Sequence, residues 1–77
     1  MINKKQNEKE MFILLTSIEI LPSETAKVLR LHYDSKLSLK EICMVMNKSI
    51  STVRNHHNRG IFLLKKYHRE NKAKLIS

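Results

Sequence analysis

The sequence has little of what several protein classes require: its 77 residues include one Cys, one Gly, one Pro and no Trp. A single Cys excludes an internal disulfide framework and a Cys-rich zinc site, and it suits a reducing compartment. So few turn residues disfavour a fold of repeated β-hairpins. No apolar run approaches the roughly 20 residues that span a bilayer, and the polar N-terminus lacks the apolar segment of a signal peptide. We therefore expect a small, cytoplasmic, all-α domain with no membrane partner.

The charge is distributed unevenly along the chain. Residues 1–35 carry five basic and five acidic groups, whereas residues 36–77 carry ten basic groups against two acidic ones, so the second half holds the whole net charge of +8. This excess predicts an acidic partner, with nucleic acid the first candidate and an anionic membrane surface the second. A solvated basic face is the alternative that charge alone leaves open.

Hydrophobic periodicity predicts two helices in the neutral half. The first extends from about residue 8 to residue 20, with more apolar residues than one face can hold. Pro22 fits the first turn of the second helix, where its missing N–H costs nothing, and this helix should end near Tyr33. Residues 34–36 have the composition of a turn.

Two further helices are predicted in the basic half. Ser38, followed three residues later by Glu41, forms a capping box that opens a third helix ending near Met46. Asn47 tolerates the left-handed conformation that ends helices. Ser49 is the N-cap candidate of a last helix over about 50–69.

The last predicted helix has two distinct faces. Its apolar face contains Ile50, Val53, His57, Ile61 and Leu64, and its polar face contains Ser51, Arg54, Asn55, Asn58, Arg59, Lys66 and Arg69. We divide the chain into a flexible N-terminus (1–7), one helical domain (8–69) and a basic C-terminal tail (70–77).

A short helix, a tight turn and a longer helix with a polar face constitute a helix-turn-helix, whose second helix enters the major groove of DNA. We therefore expect a small four-helix, all-α domain with a C-terminal helix-turn-helix and no winged strands. Arg54 can bind guanine O6 and N7, and Asn55 or Asn58 can pair with adenine. Hydroxyls in the first turn and nearby cations can bind phosphate. The candidate DNA-binding residues are Ser38, Lys40, Lys48, Ser49, Ser51, Thr52, Arg54, Asn55, Asn58, Arg59 and Lys66; an ordinary amphipathic helix with a basic exterior is the alternative.

Three segments resemble region 4 of the sigma-70 family: Leu21-Pro22, Leu37-Ser38-Leu39-Lys40-Glu41-Ile42-Cys43 and Ser49-Ile50-Ser51-Thr52-Val53-Arg54. The resemblance covers about residues 10–68. Region 4 reads the −35 promoter element and touches the polymerase flap, so the resemblance implies double-stranded DNA and RNA polymerase as partners of a bacterial transcription protein. Ala26 departs from it, since region 4 often has a DNA-contacting Arg there.

The segment Thr52-Val53-Arg54-Asn55-His56 also looks like the LuxR-type helix-turn-helix, which shares the four-helix fold. LuxR-type domains usually bind operators as dimers, so this second resemblance implies a homodimer. Gly60 stands where region 4 commonly has a small residue such as Ala, which predicts a close approach of helices.

Apolar residues remain after the predicted core is filled. Either the first and last helices cover them, or they form a partner surface for polymerase or a second copy. The candidate partner residues are Phe12, Ile13, Ile20, Phe62 and Leu63.

The sequence offers no catalytic arrangement. His56 and His57 point about 100° apart on a helix and cannot bind one ion together. Cys43 lies on a predicted inner face, where a structural thiol is the expected role. We expect no enzyme activity, no metal site and no cofactor.

The leading hypothesis is a sequence-specific DNA-binding transcriptional regulator that resembles a free-standing sigma region 4 and also contacts RNA polymerase. A LuxR-type dimeric operator-binding regulator is one alternative, and a protein-binding module that acts on polymerase or a sigma factor is another. If these residues are the whole protein, there is no room for the region that melts the −10 element, so we do not expect a self-sufficient sigma factor.

Overall fold

The computed structural model describes the backbone of residues 11–76 and the side chains of residues 11–70. Helix α1 is α-helical over residues 11–15 within this range, and a 3-10 turn follows at Ile18–Ile20. Then come α2 (Ser23–Tyr33), α3 (Leu39–Met46) and α4 (Ile50–Ile76). Residues 11–76 contain no strand. The predicted all-α, four-helix fold is confirmed, while the predicted start of α1 near residue 8 lies outside the described residues.

The prediction of one continuous helix to residue 20 is wrong, because the α-helix ends at residue 15. The Thr16 hydroxyl donates to the Ile13 carbonyl oxygen over 2.6 Å, and the Thr16 N–H donates to the same oxygen over 3.2 Å. Thr and Ser side chains compete for backbone groups in this way and disfavour a helix interior. The chain then forms the 3-10 turn, which places the Ile18 side chain in the core.

Helix α2 begins one residue later than predicted, with Pro22 at the N-cap and its carbonyl accepting from the Ala26 N–H over 2.9 Å. It ends at Tyr33, as predicted. Lys36 in the following turn has a φ of 62°, a left-handed conformation that glycine adopts at lower cost.

Helix α2 lies between the two buried clusters and contributes to both. One cluster joins α2 to the 3-10 turn and the middle of α4, and the other joins α2 to α3 and the start of α4. The first cluster comprises Ile18, Leu21, Ala26, Leu29 and Leu64. The second comprises Val28, Ile42 and Val53. Full burial of each large aliphatic side chain contributes about 1.5–3 kcal/mol. The packing on α2 therefore fixes the position of α3 and α4.

Two predictions about α4 need correction, and the structure shows where Ala26, one departure from the region 4 pattern, lies. Ile50 was expected on the buried face of α4 but is 40% exposed, since it stands in the first turn, ahead of the contact between α4 and α2. Ala26 is only 4% exposed, so its position faces the core and not a ligand. Helix α4 continues beyond Arg69 to Ile76, because residues 70–76 contain neither Gly nor Pro to end it.

Candidate nucleic-acid interface

The helix-turn-helix begins with the predicted capping box at the start of α3. The Glu41 N–H donates to the Ser38 side-chain oxygen over 3.1 Å, and the Ser38 N–H donates to Glu41 Oε1 over 2.9 Å. The Ser38 N–H, supported by the Ser38 hydroxyl, holds the pKa of Glu41 below its ordinary value of 4.5. The Glu41 carboxylate is thus already hydrogen-bonded within the capping box, whereas the neighbouring Ser38 and Lys40 are exposed.

The turn between α3 and α4 contains three residues, Asn47 to Ser49. Asn47 adopts the predicted left-handed conformation, with φ 54° and ψ 50°. The N–H groups of Asn47 and Lys48 both donate to the Cys43 carbonyl oxygen, the latter over 3.0 Å. These bonds end α3 sharply and turn the chain into α4 without a glycine.

Ser49 caps α4, as predicted. Its side-chain oxygen accepts from the Thr52 N–H over 3.2 Å, and its hydroxyl donates to Thr52 Oγ1 over 2.9 Å. Because Thr52 Oγ1 accepts this bond, its own proton remains available. The first helical hydrogen bond, from the Val53 N–H to the Ser49 carbonyl oxygen, leaves the N–H groups of Ile50 and Ser51 without helical partners. The start of α4 therefore presents several donors to an anion.

The outer face of α4 carries four predicted base-reading or phosphate-binding residues in one stripe. Ser51, Arg54, Asn55 and Asn58 are spaced i, i+3, i+4 and i+7, and all four are exposed. On the opposite side, Val53 is fully buried against α2 and α3. Core packing thus orients the polar stripe outward.

The cations of the predicted interface face solvent and have few acidic neighbours. Lys48 Nζ lies 3.7 Å from Glu24 Oε2, and both side chains are partly exposed. Within residues 11–70, no carboxylate pairs with Lys40, Arg54, Arg59 or Lys66. The positive charge of α3 and α4 is therefore largely available to an anionic partner.

A polar network behind the stripe was not predicted. Thr25 Oγ1 lies 3.0 Å from His56 Nδ1, and the Tyr33 hydroxyl lies 2.7 Å from His57 Nε2. Both bonds join α2 to α4 across at least 24 residues of sequence, so no local pattern could reveal them. His57 itself is half-buried.

The predicted partner residues divide into two groups. Phe12 and Phe62 are 72% and 62% exposed, and Ile13 and Ile20 are also exposed. Leu63 is half-buried and packs against the buried cluster that contains Leu29 and Leu64. It therefore belongs to the core as much as to the surface. Sequence analysis also missed Met44 and Val45, which are exposed on the outer side of α3.

A shallow pocket of about 250 Å³ lies between α1 and α4. Its lining consists of Ile13, Leu14, Lys65 and His68. The Nε2 atom of His68 is buried and has no hydrogen-bond partner among the side chains of residues 11–70. This apolar depression adjoins the exposed end of α1.

No group of three or more His, Cys, Asp or Glu residues that could hold a metal ion occurs in the described part of the chain. In that same part, no helix has the length and apolar character needed to cross a membrane. Cys43 is half-buried with a free thiol.

A family model described as Sigma-70, region 4 matches residues 11–67, well over half of the chain. Neither a curated protein nor a solved structure matches the chain significantly. The matched range contains the complete helix-turn-helix and its α2 scaffold. The first resemblance drawn from the sequence is thereby confirmed, and the LuxR-type resemblance stays a prediction.

Proposed function

The chain belongs to the sigma-70 region 4 family of DNA-binding transcription domains, and from that premise we propose that it is a sequence-specific transcriptional regulator that binds double-stranded DNA through α3 and α4. The observation that supports this most is the exposed stripe at the start of α4, backed by buried Val53. A bacterial cytoplasm is the setting that the family suggests.

In this proposal, the start of α4 lies in the major groove. Arg54 forks to guanine O6 and N7, and Asn55 and Asn58 contact neighbouring base edges. Ser51 and Thr52 donate hydroxyl and backbone protons to phosphate at the helix N-terminus. The remaining candidates set register on the phosphate backbone from three sides: Ser38, Lys40, Lys48, Ser49, Arg59 and Lys66.

The testing experiment measures duplex binding by fluorescence anisotropy across a salt series. For the native protein, the logarithm of the binding constant should fall linearly with the logarithm of the salt concentration. Lys66→Ala should reduce the steepness of this line by about 0.9, the effect of one lost phosphate contact. Arg54→Ala should also remove base discrimination of about 1–3 kcal/mol at one position. Arg30→Ala, an exposed arginine on α2, is the matched control and should keep the native specificity. Absent binding, or binding that salt and both substitutions leave unchanged, would refute the proposal.

Exposed Phe12 and Phe62 favour a second candidate function, binding to another protein. Large exposed apolar groups near a basic surface are typical of interaction sites. Under this candidate the surface contacts RNA polymerase or a sigma factor, or joins two copies as in LuxR-type regulators. The candidate surface comprises Phe12, Ile13, Ile20, Phe62 and Leu63.

Light scattering separates these partners. A dimer that Phe62→Ser converts to a monomer would support self-association through this surface. A monomer that retains polymerase in a pull-down at high salt, and loses it on Phe12→Ser, would support the polymerase contact. Lys27→Ser, at an exposed position of α2, serves as the control substitution. If every variant keeps the oligomeric state and the polymerase retention of the native protein, the surface is excluded.

A further inference from the structure

Asn58, a member of the exposed stripe, is held by its neighbour His57. His57 Nδ1 lies 3.1 Å from Asn58 Oδ1, and His57 Nε2 lies 2.7 Å from the Tyr33 hydroxyl oxygen. The His57 ring also stacks on Tyr33, with ring centroids 5.7 Å apart, and meets the edge of His32 at 5.2 Å. Both ring nitrogens of a half-buried imidazole are thus occupied, one inside the domain and one at its surface.

The partners determine where the protons of this network reside. The Asn58 Oδ1 atom can only accept, so His57 Nδ1 carries a proton and, in the neutral ring, Nε2 accepts from the Tyr33 hydroxyl. With the Asn58 amide reversed, Nδ1 would accept and Nε2 would donate to Tyr33. The Tyr33 proton would then have no acceptor among the described side chains and would turn to water. The first arrangement instead satisfies both ring nitrogens and the Tyr33 hydroxyl within the protein.

This arrangement determines which edge Asn58 presents outward. Its oxygen is turned toward His57, so the exposed group is the NH₂, which only donates. In the major groove, guanine O6 and N7, thymine O4 and adenine N7 accept, whereas adenine N6 and cytosine N4 donate. An outward NH₂ can therefore donate to guanine, to thymine or to adenine N7, but it cannot form the two-bond contact with adenine N6 and N7, and it finds no acceptor on cytosine.

We propose that His57, anchored by Tyr33, is a positioning residue that fixes the Asn58 amide with its NH₂ outward, so that Asn58 selects against cytosine at the base it contacts. This inference rests on the proposed binding of duplex DNA. It also limits the expected adenine contact to a single bond at N7, because the two-bond contact needs an amide that is free to turn.

Selection of bound duplexes from a random pool tests the inference. Comparison of native protein with Asn58→Ala identifies the base position that Asn58 reads. There, native protein should prefer guanine, thymine or adenine over cytosine by about 5- to 100-fold, the range given by one good contact. His57→Leu retains an apolar group of similar size but frees the amide, and the preference should fall to within about threefold. His68→Leu, the same change elsewhere on α4, should leave it unchanged.

The tautomer of neutral His57 gives a second readout. A merely structural role of this residue would not fix the proton on one ring nitrogen. Nitrogen-15 NMR of neutral His57 should show the proton on Nδ1 in native protein. Tyr33→Phe, which removes only the hydroxyl, should mix the two tautomers and weaken the base preference in parallel. This variant also provides the test if His57→Leu fails to fold.

Three results would overturn the inference: a native preference for cytosine at the Asn58 position, an unchanged preference in His57→Leu, or no position that Asn58→Ala affects. A native protein that binds no duplex would instead refute the proposed function itself.

Discussion

Gly60 of α4 lies directly against Leu29 of α2, so that a Cβ atom on Gly60 would be 2.8 Å from Leu29 Cδ1. Thr25 Cγ2 would be 2.9 Å away on the same side. Leu29 and Thr25 are buried and have little space to move. The absence of a side chain at residue 60 therefore sets how closely the two helices approach, and with it the angle at which α4 leaves the domain.

Gly60→Ala should consequently destabilise the protein, although alanine favours a helix by about 1 kcal/mol. Overpacking of a filled core costs about 1–3 kcal/mol, which equals or exceeds that gain. Urea unfolding followed by circular dichroism measures the difference. Asn55→Ala, on the exposed face of the same helix, controls for propensity and should be neutral or slightly stabilising. A Gly60→Ala protein more stable than native would show that the helices can separate freely.

The capping box predicts a specific dependence of stability on pH. Since folding lowers the pKa of Glu41 through the Ser38 N–H and hydroxyl, this group stabilises the fold above its unfolded pKa. That contribution is lost as the pH falls below 4.5 through the folded pKa. Glu41→Gln should be less stable than native at pH 7, and the difference should vanish at low pH. Glu19→Gln, another exposed carboxylate, controls for loss of one charge; an equal profile in both variants would contradict the role of the box.

The half-buried Tyr33 hydroxyl predicts an effect at the opposite end of the pH scale. Burial raises the pKa of Tyr33 above its ordinary value of 10.0, so its contribution is complete below that pH and is lost as the pH rises through the folded pKa. Tyr33→Phe should lower the free energy of unfolding by about 1 kcal/mol at pH 7 through the lost hydrogen bond. It should also lose less stability than native above pH 10. Tyr67→Phe is the control, and identical losses in native and Tyr33→Phe would exclude Tyr33 as the titrating group.

The pair of Lys48 and Glu24 predicts a substitution that strengthens DNA binding. At 3.7 Å and partly exposed, the pair contributes about 0–1 kcal/mol to folding, so its loss should scarcely change stability. Glu24→Gln frees Lys48 for phosphate and removes a repelling charge. Affinity at low salt should rise about two- to fivefold, as a fraction of 1 kcal/mol gives. Glu19→Gln should raise it less; equal gains would show that only net charge matters.

Local signals in the sequence were sufficient to predict much of the fold. The capping box at Ser38, the left-handed Asn47 and the end of α2 at Tyr33 each depend on a few adjacent residues and are confirmed. The α1 helix was predicted too long because hydrophobic periodicity continued through Thr16, whose hydroxyl competes with the helix.

Local sequence signals could not predict the interactions between residues that are distant in the chain. The contacts of Thr25 with His56 and of Tyr33 with His57 join segments that come together only after folding. They determine how the outer face of α4 is held, which composition and spacing do not encode. The polar stripe itself could be predicted, since it depends on helical period alone.

The most direct test of DNA binding through α3 and α4 is an NMR titration of labelled protein with a duplex recovered by selection. The account predicts that amide shifts change mainly at residues 38–40 and 48–59 and at Lys66. Changes confined to Phe12, Ile13, Phe62 and their neighbours, or no change at all, would contradict it.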